Sequence, residues 1–183
     1  MNAPATRRMT VSEFLAWAET QESGRYELVR GEIVAMAPER LEHVHAKRLA
    51  ANALEAAIRR TGVACQALVD GLAVAVDNDT SYIPDALVNC GEPGAADTMV
   101  APRPVIVAEV LSASTRNLDK TIKVADYFRV PSIAHYLIID LGRRYVFHYR
   151  RQPDGTIMVA IIKDGEIVCA PPGIAVDVAS LFG

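Results

Sequence analysis

Val105-Ile106-Val107-Ala108-Glu109-Val110-Leu111 is the most apolar run of the chain, and one carboxylate, Glu109, is set inside it. A run of this kind matches a strand covered on both faces, so layers are expected on either side of its sheet. An ionised carboxylate in that setting is costly unless a positive group or a metal ion meets it. A second acid has a similar place: Asp85, in Ile83-Pro84-Asp85, opens a short apolar stretch that runs to Val88. Its proline fits only the first position or the edge of a strand. A helix carrying Lys123 is expected from Leu118 to Val130, with Pro131 stopping it. Strand, strand and helix thus carry two acids and a lysine toward one place.

The flanking sequence supplies the rest of a mixed sheet. Thr10-Val-Ser-Glu13 has the pattern of a capping box, followed by a short helix with Phe14, Leu15 and Trp17 on its apolar side. Arg25 to Met36 reads as a hairpin turning at Arg30-Gly31. Leu41 to Arg60 is helical, with Leu49, Ala53, Leu54, Ala57 and Ile58 as its stripe and Gly62 as its stop. His43 and His45 fall at its start, and His45 is the one considered for the site. Gln66 to Val76 alternates as one strand, and His135 to Asp140 is a buried one. Arg143 to Arg151 and Ile157 to Lys163 pair around Pro153-Asp-Gly155, and Ile167 to Cys169 adds an edge strand. The fold class is α/β (α+β), a mixed sheet flanked by helices, with an N-terminal helix and hairpin.

Bulk properties narrow the function. The 183 residues suit one domain, expected over residues 10–183 after a disordered stretch 1–9. A net charge of −3 gives no global basic field, which counts against avid non-specific nucleic-acid binding but leaves room for a local groove. Cys65, Cys90 and Cys169 are odd in number and lack metal-type spacing, so they are expected to be reduced cysteines of a cytoplasmic protein. No apolar run approaches the ~18 residues of a membrane helix.

Hard divalent cations bind oxygen, and magnesium typically takes one or two protein carboxylates. Asp85 and Glu109 fit that role, and the Val110 carbonyl offers a further ligand. Lys123 would orient a nucleophile or neutralise charge on a phosphate. Asp119, one turn earlier, would steady the lysine. The spacing leaves a second reading open, in which Glu109 pairs with Lys123 or an arginine and nothing binds.

Tyr26-Glu-Leu-Val-Arg-Gly-Glu32, Pro84-Asp-Ala-Leu-Val88, Glu109-Val-Leu-Ser-Ala-Ser-Thr115, Asp119-x-x-x-Lys123-x-x-x-Tyr127 and His135-Tyr-Leu-Ile-Ile-Asp140 together resemble one bacterial family. It is the Uma-type restriction endonuclease family, within the PD-(D/E)xK nuclease superfamily, and the likeness runs from about residue 10 to 180. The resemblance implies a restriction-endonuclease-type sheet and a magnesium-dependent endodeoxyribonuclease, with manganese as a substitute cation, DNA as substrate and a homodimer to cut both strands. It assigns the metal to Asp85 and Glu109. The lysine role passes to Lys123, because Leu111 occupies the motif's usual lysine position. Glu27 is a further acidic member, and Tyr127 a supporting one. Ala113 stands where the branch usually has proline, and Tyr82 where it often has arginine. Arg116, Lys120, Arg143 and Arg144 are candidate phosphate contacts. Two alternatives accompany this reading: an inactive nuclease-fold binding protein, and a phosphohydrolase acting on RNA or nucleotides.

Overall fold

The computed structural model describes residues 8–111 and 119–183, the backbone alone for 119–121. Thr10 caps α1 (Val11–Glu19) with the expected capping box to Glu13. The hairpin β1 (Tyr26–Val29) and β2 (Glu32–Ala35) turns at Arg30 and Gly31, both at positive φ, 51° and 80°. That pair of dihedral signs matches the twist of the flanking strands. Met9 is tied to this turn, its N–H donating to the Gly31 carbonyl at 2.9 Å. Residues 1–7 of the stretch expected to be disordered lie outside the described residues.

The long helix α2 (Leu41–Thr61) buries a stripe of alanines with Leu54 and Ile58, and ends at left-handed Gly62. β3 (Cys65–Val69), β4 (Val74–Ala75), β5 (Ser81–Tyr82), β6 (Ala86–Cys90) and β7 (Pro104–Leu111) follow. Then come α3 (Asp119–Tyr127), β8 (His135–Asp140), β9 (Tyr145–Arg151), β10 (Ile157–Ile162), β11 (Glu166–Cys169) and β12 (Ile174–Asp177), with a closing 3-10 turn at Val178–Leu181. The main sheet has the order β10-β9-β8-β7-β6-β3, and a smaller one the order β2-β1-β5-β4. Only β7 and β8 are parallel in the main sheet. The connection between them carries α3, as a parallel crossover requires.

The strand β7 is covered on both faces, as its composition implies. Ile106, Ala108 and Val110 join a core with α2, β11, β12 and the 3-10 turn. Val107 and, at the edge, Leu111 join a second core with Tyr82, Tyr127, Tyr136 and Ile138. Successive side chains alternate across a strand, so Glu109 falls on the second face, the α3 side.

Three expectations are corrected. The Gln66–Val76 strand is two strands in two sheets, because Asp70 and Gly71 both take positive φ (44° and 96°) and turn the chain. The segment around Ile167 is not an edge of the main sheet. It pairs with β12 as a separate two-stranded ribbon whose Ile167 and Cys169 pack into the α2-side core. The cysteines are not all reduced: Cys65 and Cys90 stand directly opposite in the antiparallel β3–β6 register and form a disulfide. Among the described residues no helix is long and apolar enough to cross a membrane.

Candidate active site

β6 and β7 run antiparallel with Ala86 opposite Ala108, which brings Asp85 and Glu109 to the same end of neighbouring strands. The two acids face different neighbours. Glu109 meets α3: the Tyr127 hydroxyl donates to Glu109 Oε1 at 2.8 Å, and the Lys123 ammonium donates to the same oxygen at 3.2 Å. Lys123 also donates to Glu27 Oε1 at 3.0 Å, and Glu27 in turn accepts the Ile83 N–H at 3.0 Å. Glu27, from the hairpin, is therefore locked between the lysine and the backbone just ahead of Asp85. The ring of Tyr82 lies 4.8 Å beneath the Lys123 ammonium, and its hydroxyl donates to Asp126. At the position where arginine is common, this chain thus offers an aromatic face to the lysine.

Asp85 turns to α2. Its Oδ1 lies 2.9 Å from the Lys47 ammonium, and its Oδ2 accepts the Val110 N–H at 2.7 Å with His43 Nε2 at 3.3 Å. Lys47 is 3% exposed and also contacts Glu39 and Asp70, and Arg25 bridges the same two acids. Glu39, His43 and Asp85 present ligand atoms within 4.8 Å of one another.

These surroundings set the protonation states. Burial works against the charge of Asp85, but the His43 contact, the Val110 amide and Lys47 outweigh it and hold its carboxyl below the usual range. Burial pushes the Glu109 carboxyl up; Lys123 opposes it, while Asp85 and Glu27 add to it. The Glu109 side chain still keeps 20% of its exposure, which leaves it open to water. Burial disfavours charge on Lys123, yet Glu109 and Glu27 more than compensate and keep it an ammonium above its ordinary range. Tyr127 is raised by burial and by Glu109, so it stays a hydroxyl donor.

Of the residues singled out in the sequence, Glu27, Glu109, Lys123 and Tyr127 are in direct contact, and Asp85 stands at the adjoining strand end. Val110 meets Asp85 through its N–H. Asp119 opens α3, but its side chain lies outside the described residues, as do Arg116 and the side chain of Lys120. His45 is exposed on another flank of α2, beside Leu141, Arg144 and Phe182; the helix turns His43 to the acids instead. Arg143 and Arg144 lie at the β8–β9 turn, bonded to Tyr145 and stacked on Phe182. Glu39 and Lys47 were not among the candidates, and His43 was noted only for its place at the start of the helix. Their spacing of four residues is the signal, since it puts them on one side of the α2 entrance.

The comparisons bear on the family and the fold. The Uma2 family model, described as "Putative restriction endonuclease", matches residues 11–179. The uncharacterised protein sll1609 of Synechocystis sp. is 30% identical over 162 residues, 84% of this chain and 87% of its own length. A second Synechocystis protein, slr1290, is 27% identical over 157 residues, covering 83% and 79%. The crystal structure of "a putative nuclease belonging to DUF820" from Anabaena variabilis has a TM-score of 0.69 at 18% identity, over 95% of this chain and 97% of that one. That likeness establishes the restriction-endonuclease-like fold. With a family match over nearly the whole chain, the protein belongs to the Uma2 family of restriction-endonuclease-type nucleases.

Proposed function

We propose that the protein is a magnesium-dependent endodeoxyribonuclease that acts as a homodimer in the cytoplasm, where DNA is its substrate. The observation that carries this reading is the Lys123 ammonium, held 3.0 Å from Glu27 and 3.2 Å from Glu109. Asp85 stands at the head of the strand paired with the one bearing Glu109. The residues fit a divalent cation. Carboxylates suit magnesium and manganese alike, and Glu39, His43 and Asp85 present ligand atoms within 4.8 Å of one another. Asp85 and Glu109 would hold the ion, with Glu39 and His43 beside Asp85. When bound, magnesium supplies a Lewis acid that activates water and offsets phosphate charge.

The protein's own groups do the rest. Lys123, kept charged by its two carboxylates, orients the attacking water and neutralises charge growing on the phosphate. Glu27 fixes the lysine from one side and Tyr127 fixes Glu109 from the other, so neither side chain must be ordered when substrate arrives. One observation favours a second reading, the inactive nuclease-fold binding protein. Asp85 already has Lys47 and Glu109 already has Lys123, so both acids are paired without a cation.

Plasmid cleavage separates the two. With magnesium or manganese the protein is expected to cut DNA, and Asp85→Ala or Lys123→Ala should each slow cutting by about a hundredfold or more. No cleavage, together with no calorimetric binding at millimolar magnesium, selects the binding protein. The same preparation tested on RNA and nucleotides decides the substrate class.

A further inference from the structure

A polar cluster unconnected with the acids lies in the α2-side core. His135 on β8 and His148 on β9 share a sheet face, since His148 pairs with Leu137, two residues along from His135. His135 Nδ1 is 2.9 Å from His148 Nε2, and Cys169 of β11 packs beside them. His135 and Cys169 are 0% exposed and His148 is 6% exposed. A ligand nitrogen of each imidazole and the Cys169 sulfur lie within 4.8 Å of one another. Hydrogen bonding does not fully account for the group. Two imidazoles satisfy each other at one nitrogen apiece, and among the described residues no hydrogen bond of ordinary geometry closes on the buried Nε2 of His135. Burial and the neighbouring His148 lower the pKa of the His135 imidazole to about 4, against the opposing pull of the Pro171 and Ala170 carbonyls, so the ring is neutral and able to act as a ligand.

We propose that His135, His148 and Cys169 form a buried three-ligand site for a thiophilic d10 cation, with copper(I) preferred to zinc. Two imidazoles and one thiolate are the donors such ions select. Bonds of about 2.0 Å to nitrogen and about 2.3 Å to sulfur put the donor atoms roughly 3.3–3.7 Å apart. The cluster therefore closes on an ion with shifts of about an ångström or less. Charge selects the ion. Arg150 stands directly opposite His135 in the β8–β9 register. Copper(I) with one thiolate is neutral beside that guanidinium, whereas zinc leaves a net positive centre in an apolar core. A cavity of about 880 Å³ lies beside the site, its wall including Ala134 and Ala170, the chain neighbours of two ligands. On binding, the metal–sulfur bond replaces the Cys169 S–H bond, the proton passes to solvent, and no electron is transferred.

With the Cys65–Cys90 disulfide intact, Cys169 is the sole free cysteine, so thiolate signals report on it alone. The purified protein is titrated with copper(I) under anaerobic conditions against a coloured chelator, and separately with cobalt(II) as a probe for zinc. One equivalent of copper(I), a sulfur-to-metal charge-transfer band and one released proton are expected. His148→Gln and Cys169→Ser should each weaken binding more than about tenfold, and Asp85→Asn should leave it unchanged. A cobalt–thiolate band without copper binding supports the site and overturns the preference for copper. No charge-transfer band with either ion overturns the site. So does binding that survives Cys169→Ser. If that variant does not fold, the parent's band and proton count decide.

Discussion

Lys47 is buried among Glu39, Asp70 and Asp85, and its ammonium is the nearest cation to the oxygens of Asp85. Removing one partner of such a network leaves uncompensated buried charge. Lys47→Met should therefore destabilise the protein by about 3–5 kcal/mol, read as a lower urea midpoint at unchanged slope. A variant as stable as the parent would show that Asp85 is held by His43 and the Val110 amide alone. Leu111 allows a second test at this scale. It shares the strand face of Glu109, two residues on, where the superfamily motif keeps its lysine. In a Lys123→Ala background, Leu111→Lys should recover at least about tenfold of the lost cleavage, because an ammonium returns to the same carboxylate from the strand instead of the helix. No recovery would mean that the helix position itself is required. Asp85 and Glu109 were legible in the sequence because each interrupts or borders an apolar run, and Lys123 because Leu111 at the motif's lysine position sends the search to the following helix. Glu39, His43 and Lys47 were not. Their four-residue spacing crosses the Arg40 cap and continues into an alanine-rich helix whose polar face offers little contrast.

At the scale of elements, composition identified strands but not always their partners. β7 and β8 were readable because length and apolarity leave little choice, and α3 was read in place but ends at Tyr127, before the stop expected at Pro131. The split between β3 and β4 depends on Asp70 accepting a left-handed conformation, which no hydrophobic pattern reveals. Whether Cys65 faces Cys90 depends likewise on β3 choosing β6 with a particular register, a matter of tertiary pairing rather than of spacing. That disulfide spans 25 positions. In the chain-entropy account its closure contributes about 3.5 kcal/mol. Denaturation with and without reductant should differ by about that amount, and thiol titration of the unfolded, unreduced protein should find a single reactive cysteine. Three reactive thiols would restore the reduced state that a cytoplasmic setting favours.

Among the described residues, the main sheet ends on one side in an unprotected edge. β10 pairs with β9 through all six of its residues, yet its other edge has no neighbour in the main sheet. Its sequence, Ile157-Met-Val-Ala-Ile-Ile162, carries no charge and no proline, the devices by which edge strands usually resist pairing. Met158, Val159 and Ile161 are 51–59% exposed. An antiparallel pairing of two β10 strands is self-complementary, so a second copy offers the partner that this edge lacks. It would join two sheets into one and present two acid sites to one duplex, as double-strand cutting requires. The homodimer is therefore expected to form through β10. Val159→Lys with Ile161→Lys should shift the protein to monomer in sedimentation at micromolar concentration, with little loss of stability because both side chains are already exposed. The same variant should nick plasmid more readily than it linearises it. A protein that sediments identically before and after substitution would place the dimer contact elsewhere, and a parent that is already monomeric would remove the basis for paired cutting.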